Sequence, residues 1–450
     1  MTTPEIDPPE SAGAASAGLP DAPEIADEAL REAGIDPDRL SISYLGEPAA
    51  AAVAPARAIP LPWAARLGTG FVLWILLYVL KQTGFEIAVW AQAALALFIG
   101  LVILQGACGA LVTASERLAA RLEWDHYVAG TVAEILSTLP ELVVIGFLIP
   151  VSPLTAFVIA LVTIYNNALV FSIYSYFLPK DQYGRYLMPR PITGAGTQLL
   201  VAGAAIGLIL GLVMMAMSFS VHPKNSFAPI DLISLGVLML TIFCVYLYKL
   251  LREYAKEEVL VSDALELTQT QIEERRALVY TRVHESSWTL IAGYLLVGIL
   301  GAMLGGEQVA TFASIAIRDL QLNELVAALV LAGFAGMSEY VILWQSHRKG
   351  EHGIALANSF GGITQVMFMV LPFTLIAIGC YQALINPNHP ELPLPFSFNN
   401  MLLLMCLFPM FFVLIELLEE DHTLGLLDTT IMVAIFLLLI VLLLSYGATS

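Results

Sequence analysis

LAARLEWDHYVAGTVAEILSTLPELVVI (residues 118–145) and IAIRDLQLNELVAALVLAGFAGMSEYVIL (residues 315–343) hold matching places in the chain, since a displacement of 198 residues lays the first on the second. Identity between them is low, yet the polar positions inside the apolar runs coincide. Glu141 falls on Glu339 and Ser137–Thr138 on Ala335–Gly336; without a gap, Asn166–Asn167 then falls on Thr364–Gln365. The chain therefore carries an internal repeat whose shared positions are carboxylates and amides in the middle of hydrophobic segments.

The composition around these segments does not fit a water-facing surface. Of 450 residues, 58% are hydrophobic and 13% charged, and the mean hydropathy is +0.79. The apolar residues arrive in long runs rather than brief alternating stretches, which predicts spanning helices and excludes a β-barrel. Runs long enough to cross about 30 Å of hydrocarbon occur at 66–84, 87–115, 127–148, 153–178, 196–219, 227–250, 287–305, 322–345, 353–379, 398–417 and 423–446. The expected fold is thus an all-α polytopic membrane protein of about eleven transmembrane helices.

Charge sets the expected topology. With the amino terminus in the cytoplasm, seventeen of the twenty Lys and Arg residues fall on the cytoplasmic side, and Lys81, Lys224 and Arg318 fall outside. In that arrangement the third span starts at the cytoplasmic face and the eighth at the outer face, so the repeats are inverted. The organisation is two inverted five-helix repeats plus one extra amino-terminal helix. Residues 1–60 hold eleven acidic side chains against three arginines and read as a disordered acidic tail. Residues 61–250 form the first membrane half, with its repeat at about 113–179, and 287–450 form the second, with its repeat at about 311–377. Between them 251–286, charged and without Gly or Pro, reads as a cytoplasmic linker of one or two amphipathic helices.

The amino terminus lacks a basic stretch followed by an apolar core, so no cleavable signal peptide is expected and the first span serves as the insertion signal. The cell (inner) membrane is the expected location, with a cytoplasmic amino terminus. Cys108, Cys244, Cys380 and Cys406 lie far apart in or beside apolar runs and read as packing residues. Few lysines and no basic run exclude nucleic acid as a partner. Motifs for zinc hydrolysis, phosphate loops and the nucleophile elbow are missing, so no enzymatic activity and no cofactor are expected. The expected partners are inorganic cations and the lipid bilayer.

In the third span Glu134, Ser137, Thr138 and Glu141 are spaced by three, four and seven, which places them on one face of a continuous helix. Pro140 interrupts that helix and frees carbonyls near Leu136, tolerable in hydrocarbon only beside protein or a water-filled cavity. Hydroxyls, carbonyls and a carboxylate make an all-oxygen set suited to a hard cation such as Ca²⁺ or Na⁺. For Ser137 and Thr138 a hydrogen bond back to the preceding turn is the equal alternative. Glu141 is less open to a packing explanation, because a mid-membrane carboxylate costs about 2.5–3.5 kcal/mol on insertion scales. Glu339, preceded by Gly333, Gly336 and Ser338, carries the same argument in the eighth span. Asn166 and Asn167 in the fourth span, and Asn358 and Gln365 in the ninth, offer amide oxygens to a cation, with interhelical hydrogen bonding as the other reading. Gly203, Gly207 and Gly211 read as a packing seam, and the histidines, His347 and His352 among them, as solvated residues of loops and helix ends. Glu134 has no acidic counterpart, since Ala332 matches it. A one-sided carboxylate nearer the cytoplasmic entrance suits proton coupling.

These residues resemble the calcium/cation antiporter superfamily, which includes sodium/calcium and calcium/proton exchangers. Leu136-Ser137-Thr138-Leu139-Pro140-Glu141 is similar to the G-T-S-x-P-E signature of its first repeat, and GMSEYVILWQSHRKGEHGIALANSFGGITQVMFMVLP (residues 336–372) resembles the partner repeat. Gly361-Gly362-Ile363-Thr364-Gln365, followed by Phe368 and Pro372, is similar to the proton-coupled branch, as is the extra leading helix. The resemblance implies a cation site formed by Glu141 and Glu339 with neighbouring hydroxyl, amide and backbone oxygens. Leu136 stands in place of the leading Gly, Ser338 in the Pro position, and Ile363 where sodium-coupled members often carry Asn. These departures weaken the sodium reading. The expected function is a secondary active antiporter exchanging Ca²⁺ for protons by alternating access at a midplane site. A Na⁺-coupled exchanger is the alternative, and a cation channel or a membrane-embedded hydrolase stand further back.

Overall fold

A computed structural model of the chain describes residues 63–84, 87–121, 135–181, 183–189, 192–219, 226–264, 287–322, 324–348, 352–385 and 394–447. The tail at 1–60, most of the linker and Glu134 lie outside them. The described residues form α1 (Trp63–Gln82), α2 (Val89–Arg121), α3 (Leu139–Leu148), α4 (Pro153–Tyr174), α5 (Thr197–Ser218), α6 (Pro229–Ala264), α7 (Trp288–Arg318), α8 (Glu324–Ala335), α9 (Met337–Arg348), α10 (His352–Gln365), α11 (Leu371–Cys380), α12 (Phe398–Glu419) and α13 (Leu426–Gly447). A two-residue pair, β1 (Tyr186–Leu187) and β2 (Thr423–Leu424), is antiparallel.

The protein is a polytopic helical membrane protein. Among the described residues, eight helical segments are long and apolar enough to cross a bilayer, and they coincide with eight of the spans read from hydropathy. The other three expected spans are present in shorter pieces. Ile135–Leu148 stands for the third and Leu426–Leu442 for the last; the eighth is divided into α8 and α9 at Gly336. Three boundaries move. The seventh span runs on to Arg318, α6 continues past the expected bilayer edge to Ala264, and the ninth span is split by π-helical Val366–Val370 before α11.

Helix pairing follows the repeat. The second span packs on the seventh (α2 with α7), the fifth on the tenth (α5 with α12), and the fourth on the ninth (α4 with α10). Each of these is a pair of positions related by the repeat. The sixth span meets the ninth through α6 and α11, and its repeat mate is the contact of the fourth with the eleventh, α4 with α13. The Gly203, Gly207 and Gly211 seam lies in the fifth–tenth contact: a Cβ on Gly207 would come within 2.9 Å of Leu404 O, and one on Gly211 within 2.4 Å of Met405 Cγ. Small residues thus let two apolar helices approach backbone to backbone.

At the centre, α4 and α10 are almost wholly buried, whereas α1 is mostly exposed. Exposed Phe71, Leu76, Ile209, Val237, Phe412 and Leu438 give the perimeter an apolar surface. For a soluble domain that would be an aggregation liability; in a bilayer it is the lipid-facing side.

Contacts between loops and helix ends join only positions that the expected topology puts on one side. Arg117 lies over Tyr294 and Arg121 over Trp288, at 5.0 and 4.7 Å. Lys249 donates to Gln198 at 3.0 Å, and Arg185 pairs with Asp421 at 2.7 Å beside β1 and β2. On the opposite side Arg318 donates to Val151 O at 3.3 Å and Ser226 bridges to Pro395. Partial burial raises the Asp421 carboxyl, but hydrogen bonds from the Thr423 hydroxyl and N–H, with Arg185, outweigh it and hold the group below the usual carboxylate value.

Candidate cation site

Both repeats break their helix beside the conserved spacing of the two carboxylates. In the first, residues 135–137 are helical, Thr138 is a turn, and α3 restarts at Leu139. Pro140 therefore sits in the first turn of a new helix, not inside a continuous one as the spacing alone predicts. There its missing N–H falls among donors that have no intrahelical partner anyway. Glu141 N–H and Leu142 N–H both bond Thr138 O, at 3.1 and 3.2 Å. In the second repeat Gly336 is the turn between α8 and α9, 198 residues after Thr138. Tyr340 N–H bonds Gly336 O at 3.1 Å. Each carboxylate, Glu141 and Glu339, lies in the first turn after its break, where the helix dipole favours negative charge.

The two carboxylates are buried, at 4% and 8% exposure, and stand close enough to repel one another. Across from them run α4 and α10. Thr163 stands beside Glu141, but its hydroxyl proton goes to Ile159 O at 2.8 Å. Oε1 of Glu141 and Oδ1 of Asn167 are buried without a hydrogen-bond partner among the described residues, while the Asn167 amide nitrogen stands against the Glu339 carboxylate. Such atoms are rare in a packed interior and each costs about 1–3 kcal/mol, so two unpartnered acceptors beside two carboxylates mark a place built for something that binds. Gly362 closes this space from α10: a Cβ there would lie 2.8 Å from both Asn167 Nδ2 and Glu339 Oε2. A cavity of about 10 Å³, lined by Asn167, Glu339, Tyr340, Asn358 and Ser359 among others, is on the scale of one water molecule or one metal ion.

Several open readings are now decided by geometry. The Thr138 hydroxyl does not turn back on its own helix; it donates to Gln365 Oε1 at 2.9 Å, joining the two repeats across 227 residues. Asn358 Nδ2 donates to Glu339 O at 3.1 Å, so that amide fastens α10 to α9. Asn166 Nδ2 donates to the Tyr340 hydroxyl. Ser137 is buried next to Thr138. Ser338 precedes Glu339 on α9, with its side chain outside the described residues. Glu141, Glu339, Ser137, Thr138, Asn167, Asn358 and Gln365 are thus all buried at the α3–α4 and α9–α10 core, and Asn166 reaches it from α4.

Thr163, Ser359 and Tyr340 were not singled out by sequence spacing, although Tyr340 directly follows the repeat carboxylate. His347 departs from expectation. It closes α9 half-buried, its ring 5.8 Å from that of Tyr174, 6.4 Å from Trp344 and 5.2 Å from His352, instead of lying free in a loop.

Among the described residues no three His, Cys, Asp or Glu side chains converge. The site is therefore two carboxylates amid neutral oxygens and amides, a donor set for a hard cation. Residues 290–445 match the family model described as sodium/calcium exchanger protein. The likeness of fold extends over both halves of the chain. It is similar to the crystal structure of an H⁺/Ca²⁺ exchanger, CAX, at TM-score 0.58 and 12% identity, over 85% of this chain and 89% of that one. It is similar also to native YfkE, at TM-score 0.55 and 12% identity, over 85% of this chain and 99% of that one. At such identity the likeness is one of fold. No curated protein matches the sequence of this chain.

Proposed function

We propose that this chain is a secondary active cation antiporter that exchanges Ca²⁺ for protons, with Glu141 and Glu339 as the shared site. The observation that carries the reading is the convergence of two buried carboxylates from the breaks of two inverted repeats, next to buried polar atoms that have no partner. Two carboxylates can be neutralised by one divalent cation or by two protons, and the two occupancies exclude each other. Competition for one charged site is the coupling, and inverted repeats around a midplane site supply the alternation of access. Ser137, Thr138, Ser338, Asn166, Asn167, Asn358 and Gln365 complete the surroundings, either as oxygen ligands or, for Thr138, Asn166 and Asn358, through bonds that hold the ligands in place. Glu134 tunes proton coupling from the cytoplasmic side, so Glu134→Gln shifts the pH dependence of transport while metal binding remains. The superfamily includes sodium- and proton-coupled exchangers, and the proton reading is supported by the likeness of Gly361–Gln365 to the proton branch and by Ile363.

The test is Ca²⁺ uptake into proteoliposomes of the full chain under a pH gradient compared with a Na⁺ gradient. Uptake driven by the pH gradient alone is expected. Uptake that follows Na⁺ would make the chain a sodium-coupled exchanger. Electrodiffusion with no counter-ion dependence would make it a channel.

A further inference from the structure

The two repeats differ at the turn that precedes each carboxylate. Position 138 supplies a threonine hydroxyl; its mate, Gly336, has no side chain. The missing oxygen is replaced from one helical turn further on. Tyr340 folds back over Gly336, so that its phenolic oxygen lies 2.8 Å, and its Cζ 3.0 Å, from where a Gly336 Cβ would stand. A hydroxyl thus sits over the break in both repeats. Each also meets an amide from the facing helix: Thr138 donates to Gln365 on α10, and Asn166 on α4 donates to Tyr340. The phenol lines the same small cavity as Glu339, Asn167 and Asn358, and it stands close enough to both carboxylates to feel their charge.

From this geometry we infer that the Tyr340 hydroxyl is a direct ligand of the transported cation, the second-repeat counterpart of the Thr138 hydroxyl. Asn166 uses one lone pair of the phenolic oxygen. A second lone pair remains for a metal ion, and neutral hydroxyl oxygens belong to the ligand set of hard cations. Gly336 is required because any side chain there would occupy the seat of the phenol. A bond that only positions other groups is not restored by a hydroxyl on a different residue, so recovery of affinity in Gly336→Ser with Tyr340→Leu separates a ligand from a positioning role.

The inference rests on the antiport reading, and its test keeps the two apart. Ca²⁺ binding to the purified full chain is measured by calorimetry, alongside thermal unfolding without Ca²⁺ and uptake in proteoliposomes. Tyr340→Phe is expected to raise the Kd about tenfold, equivalent to about 1.4 kcal/mol, with the Ca²⁺-free unfolding transition unchanged. Gly336→Ser alone should weaken binding at least as much, because its Cβ displaces the phenol. Gly336→Ser combined with Tyr340→Leu should recover most of the affinity, since a hydroxyl again stands at the break. An unshifted Kd in Tyr340→Phe, with wild-type binding intact, overturns the inference alone, as does a double variant no better than Gly336→Ser. A wild-type chain that neither binds nor takes up Ca²⁺ overturns the antiport reading and this inference with it.

Discussion

The break around Thr138 and the break around Gly336 solve one problem with different residues. Both must end a helix inside the membrane, begin another and place a carboxylate in its first turn. The first repeat does so with Pro140, whose lost N–H falls where it costs nothing, and with hydroxyls on the chain at the turn itself. The second uses a glycine, and the space left by its absent side chain is filled by the ring of Tyr340. The bonding differs accordingly. Thr138 and Gln365 form a closed hydroxyl–amide pair, whereas Asn167, the repeat mate of Gln365, has its amide oxygen without a partner among the described residues and its nitrogen against Glu339. Symmetry in the backbone is therefore combined with asymmetry in the side chains, and the unpartnered side of the site lies with Asn167, Glu339 and the small cavity.

The largest effect should be the same in both repeats. Glu141→Gln and Glu339→Gln are each expected to reduce exchange to background while leaving insertion and folding intact, because each removes charge that only a bound cation or proton compensates. Near-normal flux in either purified variant would break the equivalence of the carboxylates.

A smaller effect should separate them. Gly362→Ala puts a methyl group 2.8 Å from Asn167 Nδ2 and Glu339 Oε2, so both side chains must swing away. Cation affinity is expected to fall about tenfold or more, in line with changes to groups that orient metal ligands, with little loss in unfolding temperature. The repeat mate of Gly362 is Ile164, so this crowding is special to the second repeat. An unchanged Kd for Ca²⁺ would remove Asn167 and Glu339 from the site.

Thr138→Val tests the closed pair. It leaves Gln365 Oε1 buried without its donor, which costs about 1–3 kcal/mol. The expected readout is a lower unfolding temperature in detergent, larger than for Tyr340→Phe. Equal losses in the two variants would mean that the hydroxyls are held alike.

The smallest effect belongs to the Arg185–Asp421 pair, which ties the loop after α4 to the loop before α13 at the surface. An exposed pair contributes at most about 1 kcal/mol. Because the Asp421 carboxyl is held low in the folded chain, its contribution is present above the unfolded carboxylate value and is lost as pH falls through the folded one. Asp421→Asn should cause a slight loss of stability at neutral pH that vanishes in acid and in high salt. A variant with an undiminished deficit in acid would show that this carboxylate is not what stabilises the loop contact.

Hydropathy made the spans legible because crossing hydrocarbon demands length and apolarity, both local properties of a sequence. The single displacement that matches Glu141 with Glu339 also anticipated where the helices break, since Thr138 and Gly336 obey it as well. Spacing could not reveal that α3 restarts at Leu139. A periodic pattern assumes a continuous helix, so Pro140 reads as an interior kink instead of a first-turn residue. Tyr340 escaped notice for a related reason: an aromatic next to a carboxylate has no distinctive spacing, and its meaning depends on the empty place at Gly336.

Sequence by itself determined that this chain is a polytopic membrane protein with an internal repeat and two buried carboxylates, because the cost of burying charge and the length of a span act on each segment alone. Only the tertiary structure decided which oxygens face those carboxylates. The contact of Thr138 with Gln365 and that of Asn166 with Tyr340 join residues 227 and 174 positions apart. Such partners are selected by how α4 and α10 pack between the two breaks, a property of the assembled helices that no local pattern encodes.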